Sequence, residues 1–448
     1  MKVSALRIIF CSAILSCVFC VPVRGEWDLV EQPKAEQAPA PPAATALDAT
    51  APGGTDATGA LAIDGNEAYI HQEETAPGWH LPQPNFLKKH GFVLGGWLEQ
   101  GITFTNHPDA QFNGPVFTND WNGEYQMNQF WMFLDRPAKN DGDGWAWGAH
   151  LDMIYGTDWR FGITNGLTDR INGFNRQPYG LAIPQAYGEV AYNNLLLRGG
   201  HFAGILGYEV VAAPPNPFYS HSYAMAFSEP ILVTGFLADY KLNDRWSLLG
   251  GLTRGWMQFE DNNNIVDFMG GVRWNSENKK TSLAYSVNVG PQDEAGIQQR
   301  FVGSLVYKYQ LTERLQYILQ NDIGQEQNAP AVDQVATWYG INQYALYKLN
   351  DRWSLNTRVE WFRDADGVRV AGAPDAAGIR IWDGGGFAGD FNEITIGLNY
   401  RPNANWLFRP ELRWDGYNGP RNAAGQLPFN NGESSSQFLV AADAILTF

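Results

Sequence analysis

Cysteine is nearly absent from this chain, and what there is of it sits at one end. Cys11, Cys17 and Cys20 are the whole complement, so everything after residue 20 must hold together without thiols or disulfides. Basic residues are also scarce: 31 Lys and Arg stand against 47 Asp and Glu, a formal net charge of −16. A nucleic-acid partner wants a basic face, and that class is set aside. No G-x-x-x-x-G-K-[ST] phosphate loop, H-E-x-x-H helix or G-x-S-x-G elbow occurs anywhere, which removes the commonest sequence signals of nucleotide, zinc and serine chemistry. Long apolar runs are missing too. The one continuous stretch, Ile8 to Val21, falls short of the roughly 20 residues a membrane helix needs.

That stretch follows Lys2 and Arg7 and precedes Val23-Arg24-Gly25, the arrangement of a secretory signal peptide cut near Gly25. A lipoprotein-type cut before Cys17 is the competing reading. An exported chain without disulfides needs another means of cohesion, such as a continuous hydrogen-bonded sheet. Residues 26–90 read as a periplasmic linker. Its Ala-, Pro- and Thr-rich part, EQPKAEQAPAPPAATALDATAPGGTDATGA, buries too little apolar surface to offset its ordering entropy and is expected to be largely disordered.

What the chain does have is aromatic residues and glycine: Trp 17, Tyr 19, Phe 25 and Gly 48. It also spells YKLNDRWSL twice, at Tyr240–Leu248 and Tyr347–Leu355. Polar residues sit at the centre and aromatic or aliphatic ones on both sides, the composition of a tight turn. YQLTERLQY at Tyr309–Tyr317 and YRPNANWLF at Tyr400–Phe408 keep the same form. Between such turns the residues alternate at period two, as Ile394, Ile396, Leu398 and Tyr400 do against Thr395, Gly397, Asn399 and Arg401. Each unit is therefore a hairpin, and helical repeats are rejected.

From Phe92 onward sixteen strands are predicted, beginning near Phe92, Tyr125, Trp145, Leu181, Leu195, Ile231, Arg245, Ile265, Lys280, Arg300, Arg314, Val335, Arg352, Phe391, Asn405 and Gln437. Short turns alternate with long loops such as 204–230, 364–390 and 416–436. An even number of strands of this length, with short turns on one rim and long loops on the other, predicts an all-β fold: an antiparallel up-and-down transmembrane barrel over residues 91–448. A mean hydropathy of −0.30 agrees, because such a barrel is polar inside and in its loops.

Energetics decide which face looks where. Trp406, Phe408, Leu412 and Trp414 share one face of their strand, and Arg409, Glu411, Arg413 and Asp415 the other. Arg358 and Glu360 similarly oppose Trp353, Leu355, Val359 and Trp361. One Arg against lipid at the midplane costs about 2–4 kcal/mol, and several would exceed the roughly 5–15 kcal/mol that holds a typical domain together. The charged faces must line the lumen. Arg273, Asp267, Arg358, Glu360, Arg409, Glu411 and Arg413 are the expected pore-lining residues, sorting solutes by size and sign. The last strand, Gln437 to Phe448, carries Phe438, Val440, Ala442, Ala444, Leu446 and Phe448 on one face. A terminal aromatic of this kind resembles the signal by which outer-membrane insertion machinery recognises barrels.

The segments FNGPVFTNDWNGEYQMNQFWMFLDRP (Phe112–Pro137), WGAHLDMIYGTDWRFG (Trp147–Gly162), YGLAIPQAYGEV (Tyr179–Val190) and, above all, GGHFAGILGYEVVAAPPNPFYSHSYAMAFSEP (Gly199–Pro230) resemble the OmpL-like β-barrel porin-2 family in its planctomycete-type form. The resemblance runs from about Gly91 to the C-terminus and weakens after Phe259. It implies an outer-membrane pore of unassigned substrate and supplies no catalytic residues.

Loop 204–230 is the segment singled out. By analogy with porins in which a long loop narrows the lumen, Glu209, His221 and Glu229 are candidate constriction residues, and Pro214, Pro215 and Pro217 would stiffen it. An ordinary surface loop or an oligomer contact is the other reading. His150 and Asp152 share a strand face and could bind a metal or a polar substrate, though lumenal polar residues are more often solvated wall. Asp141 and Asp143, and Asp383 to Asp390, resemble oxygen-ligand loops without a full calcium spacing, and Asp-Gly runs are more often plain turns. No cofactor, metal or catalytic activity is expected. Expected partners are the lipid bilayer, small hydrophilic solutes and further copies of the chain, a homotrimer being open to it. Two rivals remain: an outer-membrane barrel enzyme, with Ser220-His221-Ser222 as the suspect, and a soluble carbohydrate-binding all-β protein. Adjacent residues on a strand point to opposite faces, so that triplet is no evidence for a dyad.

Overall fold

The computed structural model describes residues 78–173, 177–329, 335–370 and 386–448. The predicted signal peptide and most of the linker lie outside the described residues, as do Asp383, Gly384 and Gly385. Period-two alternation becomes strands as expected: β1 (Val93–Thr105), β2 (Tyr125–Arg136), β3 (Trp145–Gly156), β4 (Gly180–Ala182), β5 (Ala186–Tyr192), β6 (Leu195–Ala203), β7 (Leu232–Lys241), β8 (Trp246–Thr253) and β9 (Asp267–Asn275). They continue as β10 (Thr281–Pro291), β11 (Gln299–Gln310), β12 (Leu315–Gln327), β13 (Val335–Lys348), β14 (Trp353–Asp364), β15 (Gly389–Tyr400), β16 (Trp406–Asn418) and β17 (Ser436–Thr447).

All belong to one sheet, ordered as in the chain, and β1 pairs antiparallel with both β2 and β17. The sheet thus closes on itself and leaves no edge. The strand predicted near Leu181 is two pieces: β4 and β5 both pair with β3, one beyond the other. They occupy one position in a wall of sixteen. Pro184 lies between them; it has no N–H to give a ladder, so the pairing is interrupted there.

Alternation sorts side chains as lipid demands. Phe236, Leu252, Ile396, Leu412, Phe438 and Val440 are exposed on the outer face, Phe236 to 75%. Such a continuous apolar exterior on a soluble protein would be an aggregation surface; around a barrel it meets acyl chains.

The repeated nonapeptide builds the same corner twice. Asn243 Oδ1 accepts the N–H groups of Arg245 and Trp246, and Asn350 Oδ1 those of Arg352 and Trp353. Lys241 pairs with Asp244 at 3.0 Å, and Lys348 with Asp351 at 2.8 Å. Asn403 repeats the side-chain bonds at Asn405 and Trp406, and Thr312 Oγ1 accepts from Arg314 and Leu315. One turn chemistry therefore serves four corners of the short-turn rim.

A bulge marks β2. The β1–β2 register shifts between Glu99 and Gln100, and the consecutive residues Asn128 and Gln129 are both fully buried. The extra residue turns two neighbouring side chains toward the same interior.

Candidate functional site

The segment between β6 and β7, residues 204–231, is bonded to inward-facing side chains on much of the wall. Buried backbone groups need partners, since each one left unmade costs about 1–3 kcal/mol, and here the wall provides them. Glu411 accepts the N–H groups of Tyr219 at 3.0 Å and Ser220 at 3.2 Å. Glu360 accepts those of Tyr223 and Ala224, both at 2.7 Å. Gln320 accepts from Tyr208 N–H and Ser304 from Gly207 N–H. Carbonyls are met by cations: Arg409 donates to Ala213 and Asn216, Arg358 to Ser220, and Arg413 to His221. The bulged pair on β2 joins in. Gln129 accepts from Ala213 N–H and donates to the Val211 carbonyl, and Asn128 accepts from the Tyr219 hydroxyl.

Packing reinforces the bonds. A Cβ on Gly397 would lie 2.9 Å from the Phe218 ring, and one on Gly101 2.6 Å from the Tyr219 ring. Phe218 and Tyr219 thus rest where the wall has no side chain. Prolines 214, 215 and 217 carry no N–H, so this stretch asks for fewer acceptors.

The charges are matched as tightly. Arg358 pairs with Glu209 of the loop at 2.7 Å and with Glu393 at 2.9 Å. Arg409 pairs with Glu99 and Asp443, and Arg413 with Asp415. Burial pushes the Glu209 carboxyl up, but Arg358, His221 and the Ser222 N–H outweigh it and hold it well below the usual carboxylate range. Glu229 differs. It is 6% exposed and neither carboxylate oxygen has a hydrogen-bond partner. Burial, with Asp322, Glu209 and Glu360 nearby, pushes it well above its ordinary value.

Of the residues expected to line the lumen, Arg358, Glu360, Arg409, Glu411 and Arg413 all face inward and are buried beneath the loop. Asp267 faces inward on β9 and accepts from Gln292. Arg273 pairs with Asp239. His221 Nδ1 lies 3.1 Å from Glu209. Ser220 Oγ accepts from Arg358 and Ser222 Oγ from Met225 N–H, so the triplet is spent on holding the loop. His150 lies between Asp135 at 2.9 Å and Asp152 at 3.0 Å. Among the described residues no group of three or more His, Cys, Asp or Glu is arranged to hold a metal ion. Asp141 stands at a positive φ of 50°, as a plain turn residue does.

Sequence reasoning missed Asn128, Gln129, Glu99, Glu393 and Asp443. The triplet Met127-Asn128-Gln129, where polar residues interrupt an alternating run, was the available signal for the first two.

Residues 91–448 match the family model described as "Putative beta-barrel porin-2, OmpL-like". The chain belongs to this family. It is an outer-membrane β-barrel porin. No curated protein sequence matches it. Among solved structures, this porin is similar to the outer membrane channel DcaP of Acinetobacter baumannii, with a TM-score of 0.53 at 12% identity over 80% of this chain and 97% of that one. It is similar to an anion-selective porin from Comamonas acidovorans, with a TM-score of 0.53 at 11% identity over 80% and 99%. A trimer form of OmpT from Vibrio cholerae gives a TM-score of 0.51 at 10% identity over 80% and 99%. At these identities the likeness concerns the fold.

Proposed function

We propose that this porin passes small hydrophilic solutes by passive diffusion, along a route narrowed by loop 204–231. The observation that carries this is the loop's bonding pattern. Its hydrogen bonds reach β2, β11, β12, β13, β14 and β16. Toward the short-turn rim on β8 to β11, the inward residues Ser247, Arg273, Ser282, Ala284 and Lys308 are only half-buried. The reading places the solute's inner path along that wall and assigns no catalysis to the protein. Arg273, Asp267, Arg358, Glu360, Arg409, Glu411 and Arg413 would then act in different ways: Arg358, Glu360, Arg409, Glu411 and Arg413 by fixing the loop, Asp267 by bracing the wall through Gln292, and Arg273 by presenting a polar group beside the route. Glu209, His221 and Glu229 would set the constriction.

The reading also includes export by a cleaved signal peptide, residues 26–90 as a periplasmic linker, insertion through the terminal Phe448 strand and assembly as a homotrimer. The trimer form of OmpT supports the last. Reconstitution tests the core claim. Purified protein should give conductance steps in planar bilayers, and sugar-dependent swelling in liposomes that falls as the sugar grows. Folded, inserted protein that gives neither would overturn it.

A further inference from the structure

Cations that face the lumen are compensated almost one by one. Arg198, Arg273, Arg300, Arg358, Arg409 and Arg413 each have a carboxylate partner. Lys241 and Lys348 are paired within their own turns. Arg369 donates to the Phe227 carbonyl instead, and Lys308 departs further from the rule. It lies on the inward face of β11, in step with Ser304 and Val306, and among the described residues no carboxylate pairs with it. Its Nζ lies 4.9 Å from the centre of the Tyr208 ring instead.

Tyr208 is the loop residue whose ring faces Lys308, and it is held in place. Its N–H is bonded to Gln320 at 2.9 Å, and its ring meets Tyr344 edge-on at 4.8 Å. A ring face attracts an ammonium group but carries no net charge, so the positive charge stays uncompensated and its N–H donors stay available. Across the ladder Lys308 stands opposite Ser282 on β10 and Ile318 on β12. Ser282 offers a hydroxyl, Ala284 beyond it leaves room, and both are half-buried. Lumen-facing charges of a membrane barrel meet water rather than lipid, and they are the groups that tune its selectivity. In a half-buried site the attraction of Lys308 for an anion exceeds that in bulk water.

We propose that Lys308, backed by Tyr208 and flanked by Ser282, is a subsite for small oxyanions, carboxylates or phosphates, at the inner mouth of the pore. This rests on the reading of the protein as a diffusion channel. The subsite makes the passage select for anions although the chain as a whole is strongly acidic. The loop closes its outer side, so an anion leaving the constriction meets Lys308 before it reaches the short-turn rim.

Bilayer recordings test this on the full chain. Under a KCl gradient the wild type should show an anion-sided zero-current potential, and chloride current should be blocked by added succinate or inorganic phosphate. In Lys308→Gln the block should weaken several-fold and the potential shift toward the cation side, further in Lys308→Glu. Lys280→Gln, on an exposed turn, should behave as wild type, and heat-modifiable gel mobility reports that each variant folds. Block by succinate alone assigns carboxylates, and block by phosphate alone assigns phosphates. Block by neither, or selectivity unchanged in both Lys308 variants, overturns the subsite and leaves the porin standing. A folded wild type without conductance overturns both.

Discussion

Arg358 on β14 and Glu209 in loop 204–231 lie 2.7 Å apart, both buried. This pair ties the loop to the far wall of the barrel, and each partner has a second tie: Arg358 to Glu393, Glu209 to the Ser222 N–H. Removing one member of a buried pair leaves the other uncompensated and costs about 3–5 kcal/mol. Glu209→Gln should therefore lower the temperature of heat-induced unfolding on gels. Combined with Arg358→Gln, the loss should be less than the sum of the two singles, because the residues share one interaction. Additive losses would show that the pair is not coupled.

Removing Ala212–Phe218 takes away the Ala213 and Asn216 carbonyls that Arg409 donates to, and the Phe218 ring over Gly397. Single-channel conductance should rise in this deletion variant. A barrel that folds and conducts as wild type would remove the loop from any role in narrowing the pore.

A milder change should act in the same direction. Gly397→Val puts a side chain where Phe218 now rests, with the Cβ only 2.9 Å from that ring. The loop must shift, and conductance should increase or become noisy while the unfolding temperature falls. Unchanged recordings would mean that the contact does not position the loop.

The twin corners predict equal responses. Asn243→Ala and Asn350→Ala each remove one acceptor serving two N–H groups. Exposed turns lose about 0.5–1.5 kcal/mol for such a change. Urea unfolding from vesicles should give similar losses at both positions; a large difference would mean that their surroundings, not the turn, set the cost.

Glu229 sets a pH dependence. Its folded-state carboxyl is pushed up by burial and by Asp322, Glu209 and Glu360, so its neutral form suits the fold. The stability this represents is fully present below the ordinary Glu value of about 4.3 and is lost as pH rises through the raised folded value. The wild type should lose unfolding temperature toward alkaline pH. Glu229→Gln, which stays neutral, should lose less. Parallel pH profiles would show that the group titrates normally.

Strand positions were readable because lipid outside and polar groups inside impose a period of two on nearly every residue of the wall. Where that period breaks, alternation alone does not carry the detail. Pro184 divided one predicted strand into β4 and β5, and the extra residue at Asn128–Gln129 reversed the face of half of β2. The turns were legible because Asn243, Asn350 and Asn403 act within three residues of themselves. The loop's anchors were not. Glu411 meets Tyr219 from 192 residues away, and no local pattern in either segment names the other. Sequence analysis could mark Arg358, Arg409 and Arg413 as inward-facing. It had no means of telling a charge bathed in water from one spent on a carbonyl.

The seam between β1 and β17 pairs Trp97 with Thr447 and Thr105 with Leu439. Every other junction in the wall joins strands that follow one another closely, and each can zip as a local hairpin. This one must bring together residues some 350 positions apart by the numbering, and closing a long chain carries an entropic penalty that local pairing does not. Assembly of the cylinder is therefore expected to be ordered in time, with the curled sheet forming first and its two margins meeting last.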